Sequence, residues 1–324
     1  MSAEALNVIG LAPMAGITDW PLRVLCYRMG ANYACSEMVS AMGLMCAKPG
    51  NMVYRHLLEV HPEETNTACQ LFGRDPVVMA EAARRVTELN RFKSIDINMG
   101  CPARKVVHTG EGSALLLKPD LAYKIMEAVR DNTHLPVTVK TRLGYDEDSM
   151  NAVELGKAAQ SLGLKWLCLH GRTRQRQYSG KADYAGISRV REQLTIPVIA
   201  NGDIFEGQDA VRILAESGCE SFMIGRGAMG APWLFREALA ALRGEQAQPV
   251  SLQERVETAL LHARWMVEYK GERLGVTEMR KHIGHYIGGL RGATALRREL
   301  NMAKSLEELN GLLMRLLDGM ACGD

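Results

Sequence analysis

From residue 7 to about residue 225 the chain alternates short apolar runs with amphipathic segments, and this rhythm restricts the possible folds more than any other feature. The apolar runs lie at 8–14, 33–35, 67–72, 94–99, 136–140, 166–170, 197–201 and 221–224. Between them, 76–89, 119–129, 151–162 and 207–216 carry apolar residues at helical spacing. Eight strands separated by helices predict an α/β fold, a (β/α)8 TIM barrel, here assigned to residues 1–243. The polar stretch 243–249, with its proline, reads as a linker. From Ser251 the sequence has helical character and no strand pattern, so a small C-terminal helical domain is expected over residues 250–324.

A length of 324 residues suits one large barrel with an appendage better than two equal halves. The net charge of +2 is close to balance, so a nucleic-acid surface would have to be a local patch. The eight cysteines include no Cys-x-x-Cys pair and mostly sit in apolar runs. That pattern argues for a reducing, cytoplasmic setting without disulfides, and for no zinc or iron–sulfur site. No basic leader precedes the first apolar run, and no stretch approaches the roughly 18 apolar residues of a membrane span.

In a parallel barrel the chemistry sits at the C-terminal ends of the strands. Those ends carry Gln70, Asn98, Lys140 with Arg142, His170, Asn201 with Asp203, and Gly225 with Arg226. One such residue often only satisfies loop backbone, but a purely structural barrel would not need so many converging on one mouth. The segment Asp96-Ile97-Asn98-Met99-Gly100-Cys101-Pro102 adds a cysteine on the turn at a strand end. Asn201-Gly202-Asp203 and Gly225-Arg226-Gly227 follow the last two strands, where glycine lets backbone N–H groups approach a phosphate. A phosphate-bearing cofactor is therefore expected there. Lys140 suits either a Schiff-base nucleophile or a fixed charge beside an anionic cofactor.

Two stretches are basic and free of acids. Residues 279–298 hold Arg280, Lys281, Arg291, Arg297 and Arg298 among histidines and Tyr286, and residues 172–181 hold Arg172, Arg174, Arg176, Tyr178 and Lys181. Arg104, Lys105 and His108 follow Cys101. Basic surfaces bracketing one mouth favour a polyanionic substrate.

Taken in order, Leu11-Ala-Pro-Met-Ala-Gly-Ile-Thr-Asp19, Ser36-Glu-Met38, the segment 96–102, Gly112-Ser-Ala-Leu-Leu116, Val139-Lys140, His170-Gly-Arg-Thr173, Ala200-Asn-Gly-Asp203 and Gly225-Arg226 resemble the flavin-dependent tRNA-dihydrouridine synthases, most closely the bacterial B subfamily. The resemblance covers about residues 8 to 290. It implies FMN, with NADPH as reductant, and a uridine of the tRNA D-loop as substrate, position 17 being the B-subfamily expectation. By that resemblance Pro13, Met14 and Ala15 form a shelf under the flavin ring, Gln70 and Lys140 meet its polar edge, and His170 lies nearby. Asn201, Gly202, Asp203, Gly225 and Arg226 match the ribityl and phosphate cradle. Asn98, Arg142 and Tyr178 match residues that hold the uracil, and Cys101 matches the proton donor. The basic residues Arg174, Arg176, Arg280 and Lys281 are expected to meet tRNA, bound by a monomer. The competing readings are an FMN barrel acting on a free pyrimidine, as a dihydroorotate dehydrogenase does, a non-catalytic tRNA-binding protein, and a Lys140 aldolase.

Overall fold

The computed structural model describes residues 7–290 and 292–321, and the side chains up to residue 317 among them. Nine parallel strands form the sheet: β1 Ile9–Leu11, β2 Tyr33–Cys35, β3 Val39–Ser40, β4 Thr67–Phe72, β5 Ser94–Met99, β6 Val137–Arg142, β7 Leu167–His170, β8 Val198–Asn201 and β9 Ser221–Ile224. Pairing of β1 with both β2 and β9, and of β2 with β4, closes a ring of eight strands and leaves β3 as a two-residue spur beside β4. The fold is thus a (β/α)8 barrel followed by C-terminal helices.

Around the ring lie α1 Trp20–Arg28, α2 Ala41–Cys46, α3 Met52–Leu57, α4 Pro76–Glu88, α5 Arg104–His108, α6 Pro119–Asp131, α7 Ala152–Ser161, α8 Tyr184–Arg191, α9 Gly207–Ser217 and α10 Leu234–Leu242. The longer helices are started by local signals. Asp75 accepts N–H bonds from Val77 and Val78 ahead of Pro76 at the start of α4, and Glu206 with Asp209 forms a capping box at α9. The C-terminal helices are α11 Leu252–Lys270, α12 Glu272–Tyr286, α13 Ala293–Leu300 and α14 Leu306–Ala321. No helix among the described residues is long and apolar enough to cross a membrane.

The period-two alternation of the strands separates two cores. Outward residues such as Ile95, Ile97, Val139, Leu167, Leu169 and Ala200 pack against the helical ring. Inward residues Val8, Tyr33, Cys35, Trp166, Cys168, Ile199 and Met223 fill the barrel, with Tyr33 and Trp166 meeting edge to face at 5.3 Å. A third core, including Trp233, Val256, Met266, Ile283, Tyr286 and Leu309, belongs to the C-terminal helices. Trp20 of α1 joins this bundle to the barrel by packing on Trp265 and Tyr269.

Two strands differ from the sequence expectation by more than one residue at an end. The first strand spans Ile9–Leu11 rather than 8–14, because Ala12 makes the last rung to Ile224, Pro13 has no N–H, and the Met14 carbonyl turns to accept Ile17 and Thr18. The strand expected at 136–140 instead runs Val137–Arg142, since Arg142 is paired in register with His170 and buried despite its charge.

Candidate active site

The same alternation places Gln70, Asn98, Lys140, Arg142, His170 and Asn201 on inward positions at the C-terminal ends of their strands. Register then sets them side by side: Asn98 opposite Lys140, Arg142 opposite His170, His170 opposite Asn201. Above this polar layer opens a cavity of about 670 Å3, lined by all six and by Pro13, Met14, Ala15, Cys101, Tyr178, Gly202, Asp203, Gly225 and Arg226. The volume lies within the range of cofactor sites, roughly 300–1,000 Å3. Arg104, Lys105, Lys140, Arg142 and Arg226 line it as cations, whereas Asp203 is the lone acid among the lining residues.

Below the cavity floor a chain of hydrogen bonds fixes the amides. Thr138 Oγ1 and Gln70 Nε2 donate to the two oxygens of buried Asp96 at 2.6 and 2.7 Å, and Asn98 Nδ2 donates to Gln70 Oε1 at 2.9 Å. Burial pushes the Asp96 carboxyl up, opposed by the bonds from Gln70 and Thr138 and by the Lys140 charge. Asn98 Oδ1 in turn accepts the N–H groups of Gly100 and Cys101 at 3.1 and 2.9 Å. The Cys101 carbonyl accepts both N–H and Oγ–H of Ser113. The loop is thus pinned at both sides of the half-buried Cys101, while Sγ itself makes no hydrogen bond among the described residues. Cys46 is exposed and the other described cysteines are buried, so Cys101 is the one thiol of the described seven that lines the cavity.

Two buried arginines hold the opposite wall. Arg142 donates from Nε to the Gly100 carbonyl at 2.9 Å and from Nη1 to the carbonyls of Thr173 and Gln177 at 3.0 and 2.8 Å, so it ties the Cys101 loop to the Tyr178 loop. Burial pulls its pKa down to about 10. Arg172 bonds the carbonyls of Ser179 and Gly180 and the Asp203 carboxylate, the last at 2.5 Å. Tyr178, 51% exposed, has the Arg226 guanidinium 4.4 Å from its ring centroid and that of Arg142 at 5.6 Å. His170, buried and surrounded by Arg142, Lys140, Arg172 and Arg226, is held well below its usual pKa, first by burial and then by these charges. Its imidazole is neutral at pH 7.

At the last two strands, Lys140 Nζ donates to Asn201 Oδ1 at 2.9 Å and Asn201 Nδ2 donates to the Met223 carbonyl at 2.9 Å. Gly202 has φ +131°, and a Cβ there would meet Ala182 Cβ at 2.9 Å and the His170 ring at 3.2 Å. A Cβ on Gly225 would instead stand free, its nearest neighbours Ala12 and Met14 at 3.9 Å, so the glycine leaves room inside the cavity for a ligand. Asp203 has its carboxylate on Arg172 and on Ala182 N–H, with Arg226 at 3.4 Å. Burial raises its pKa, but Arg172 and the Ala182 N–H outweigh this and leave it lowered. Asp203 thus ties this loop to Arg172 and to the Ala182 backbone while lining the cavity.

The basic residues separate by geometry. Arg174 stacks over Tyr145 at 5.0 Å, and exposed Arg176 pairs with Glu147 at 2.9 Å. Arg280 donates to the Ala303 carbonyl and so braces the bundle, whereas Lys281 is exposed, with Nζ 3.7 Å from where a Cβ of Gly16 would sit at the barrel mouth. Arg297 bonds the Gly284 carbonyl at 2.8 Å. Arg291 lies outside the described residues. Sequence reasoning gave no role to Asp96 and Thr138 and read Arg172 only as part of a basic run. Asp96 and Arg172 stood inside motifs already singled out, and the inward phase shared by Asp96 with Asn98 was an available signal.

The chain covers 85% of itself on a histamine dehydrogenase from Rhizobium sp. 4-9, and 49% of that chain, with a TM-score of 0.53 at 11% identity, a likeness of fold. Curated relatives are far nearer in sequence. The chain is 40% identical to tRNA-dihydrouridine synthase B of Pseudomonas aeruginosa over 91% of its length and 88% of the relative's. It is 41% identical to the protein of the same name from Vibrio vulnificus over 94% and 95%. A family profile described as dihydrouridine synthase (Dus) matches residues 10–318, and the chain belongs to that family.

Proposed function

We propose that the protein reduces a D-loop uridine of tRNA, position 17 by the B-subfamily likeness, to 5,6-dihydrouridine at the expense of NADPH, with FMN in the barrel mouth. The observation that carries the reading is a pinned but unbonded Cys101 thiol on the rim of a cation-lined cavity. The family match and the curated relatives support uridine reduction as its reaction.

The residues present fit a flavin mononucleotide. Gly225 leaves the open space and Arg226 the partly exposed charge that a phosphate needs, beside Asn201 and Gly202. Pro13, Met14 and Ala15 would offer a shelf, and Gln70 and Lys140, which line the same cavity, would meet the ring's polar edge. When bound, FMN supplies hydride transfer from the nicotinamide to uracil carbon 6. The chain's part is to orient and protonate. Lys140 retains N–H donors beyond the one given to Asn201 and places a positive charge where negative charge gathers. Arg142 and Asn98 hold the Cys101 and Tyr178 loops; Arg142 keeps its Nη2 donors for a uracil carbonyl, whereas Asn98 Nδ2, already on Gln70 and 3.8 Å from the Met38 sulfur, would have to give up the weak sulfur contact to reach one. Cys101 gives its proton to carbon 5 as carbon 6 gains hydride, and the thiolate recovers a proton from solvent. Overall, uridine, NADPH and one proton become dihydrouridine and NADP+.

The target base must leave its stack, which costs a few kcal/mol in a helix and less in a loop. Residues 250–324 form the tRNA-binding unit in this reading, with Lys281 beside the mouth and Arg174 and Arg176 on the other side, in a monomeric cytoplasmic enzyme. Unmodified tRNA incubated with the protein, FMN and NADPH tests it. Nucleoside mass spectrometry should show a D-loop uridine heavier by two hydrogens; NADPH oxidation without that product would refute the proposal.

A further inference from the structure

Away from the cavity, three polar side chains from three elements converge in the seam between barrel and bundle. Asp19 precedes α1, His262 lies on α11 and His282 on α12; all three are buried, and one ligating atom from each lies within 4.8 Å of the others. Asp19 Oδ1, His262 Nε2 and both ring nitrogens of His282 have no hydrogen-bond partner. Natural chains rarely leave so many neighbouring buried polar atoms unsatisfied.

The second ligand atoms of Asp19 and His262, unlike that of His282, are provided for. Asp19 Oδ2 accepts from Lys270 Nζ at 2.6 Å, and Lys270 is balanced by Glu278, also at 2.6 Å. His262 Nδ1 meets the Tyr286 hydroxyl at 3.2 Å. Partners of this kind orient the outer atoms of metal ligands and leave the inner ones to the ion. We infer that Asp19, His262 and His282 form a site for a divalent transition metal of the zinc class, which clamps the C-terminal bundle onto the barrel.

Two imidazole nitrogens and one carboxylate oxygen suit zinc, whereas magnesium and calcium favour oxygen-rich sites. Zinc ligands at their usual bond lengths stand roughly 3.3 Å apart, so side-chain rotations closing a little over an ångström bring the three atoms onto one ion. The sequence reading expected no metal, an expectation drawn from the absence of a Cys-x-x-Cys pair, and the proposed site departs from it. Since Lys281 adjoins His282, the clamp would also fix that cation against the mouth.

The test uses tag-free, full-length protein stripped with a chelator, then titrated with Zn2+ and, for its visible spectrum, with Co2+. One equivalent should bind tightly, Co2+ should give the bands of a low-coordinate nitrogen and oxygen site, and the unfolding temperature should rise with metal. His262→Gln and His282→Ala should abolish that uptake. Should either fail to fold, Tyr286→Phe keeps the ring in the core and should weaken binding by about ten- to a hundredfold through loss of the orienting hydroxyl. If the parent takes up no metal, or no more tightly than the variants, the cluster holds a bridging water and the inference is wrong.

Discussion

The barrel mouth and the seam beneath α12 both bury many polar groups, yet they treat them in opposite ways. At the mouth Asp96, Gln70, Asn98, Arg142, Arg172 and Asp203 are spent on one another or on loop carbonyls, so the loops carrying Cys101 and Tyr178 are fixed before any ligand arrives. In the seam Asp19, His262 and His282 leave their facing atoms unpaired. The difference separates preorganisation from incompleteness: a reaction site gains by having its geometry set in advance, while an unsatisfied cluster points to a missing component.

The comparison breaks most visibly at Cys101, the residue that the mouth positions but does not bond. Cys101→Ala should lower dihydrouridine formation by about a hundred- to ten-thousandfold while flavin content and unfolding temperature stay at the parent's level, as measured by nucleoside mass spectrometry and thermal melts. Arg172 should behave in the reverse sense. Arg172→Ala leaves Asp203 and two loop carbonyls without their partner, so it should cost about 3 kcal/mol of stability and weaken flavin retention, read from urea unfolding and bound flavin.

His170 gives a pH signature. It is neutral in the native protein, while the unfolded chain takes up a proton near about pH 6.5, so the unfolded state binds more protons below that value. Its contribution is fully present above about pH 6.5 and is lost as pH falls, by at most about 1.4 kcal/mol per pH unit. Urea midpoints between neutral and acidic pH should therefore fall less steeply for His170→Gln than for the parent. The smallest effect belongs to the bundle. Lys281→Ala should reduce the salt dependence of tRNA affinity by about one phosphate contact, whereas Arg280→Ala should mainly loosen the Ala303 turn.

These contrasts also explain what could be read from the residues. A strand's period of two assigns a face without knowledge of the partner strands, so Gln70, Asn98, Lys140, Arg142, His170 and Asn201 were visible as one inward layer, and the barrel with them. Val39–Ser40 is too short to show a period, α5 lies in a stretch read for charge, and α8 lies in one given no helical reading. Charge was legible, but its use was not. The basic run near residue 280 mixes Arg280 and Arg297, which brace backbone carbonyls, with Lys281, which stays exposed, and only the packing of α12 separates them. Asp19 and the two histidines meet through tertiary structure alone, and no spacing announces them.

The central claim is that Cys101 supplies the proton that completes reduction of a tRNA uridine. The most direct measurement mixes anaerobically reduced flavoprotein with unmodified tRNA in a single turnover and follows flavin reoxidation in the parent and in Cys101→Ala. The parent should reoxidise as dihydrouridine appears, and the variant should bind the tRNA equally well yet reoxidise at least about a hundredfold more slowly. Equal rates in the two proteins would contradict the assignment.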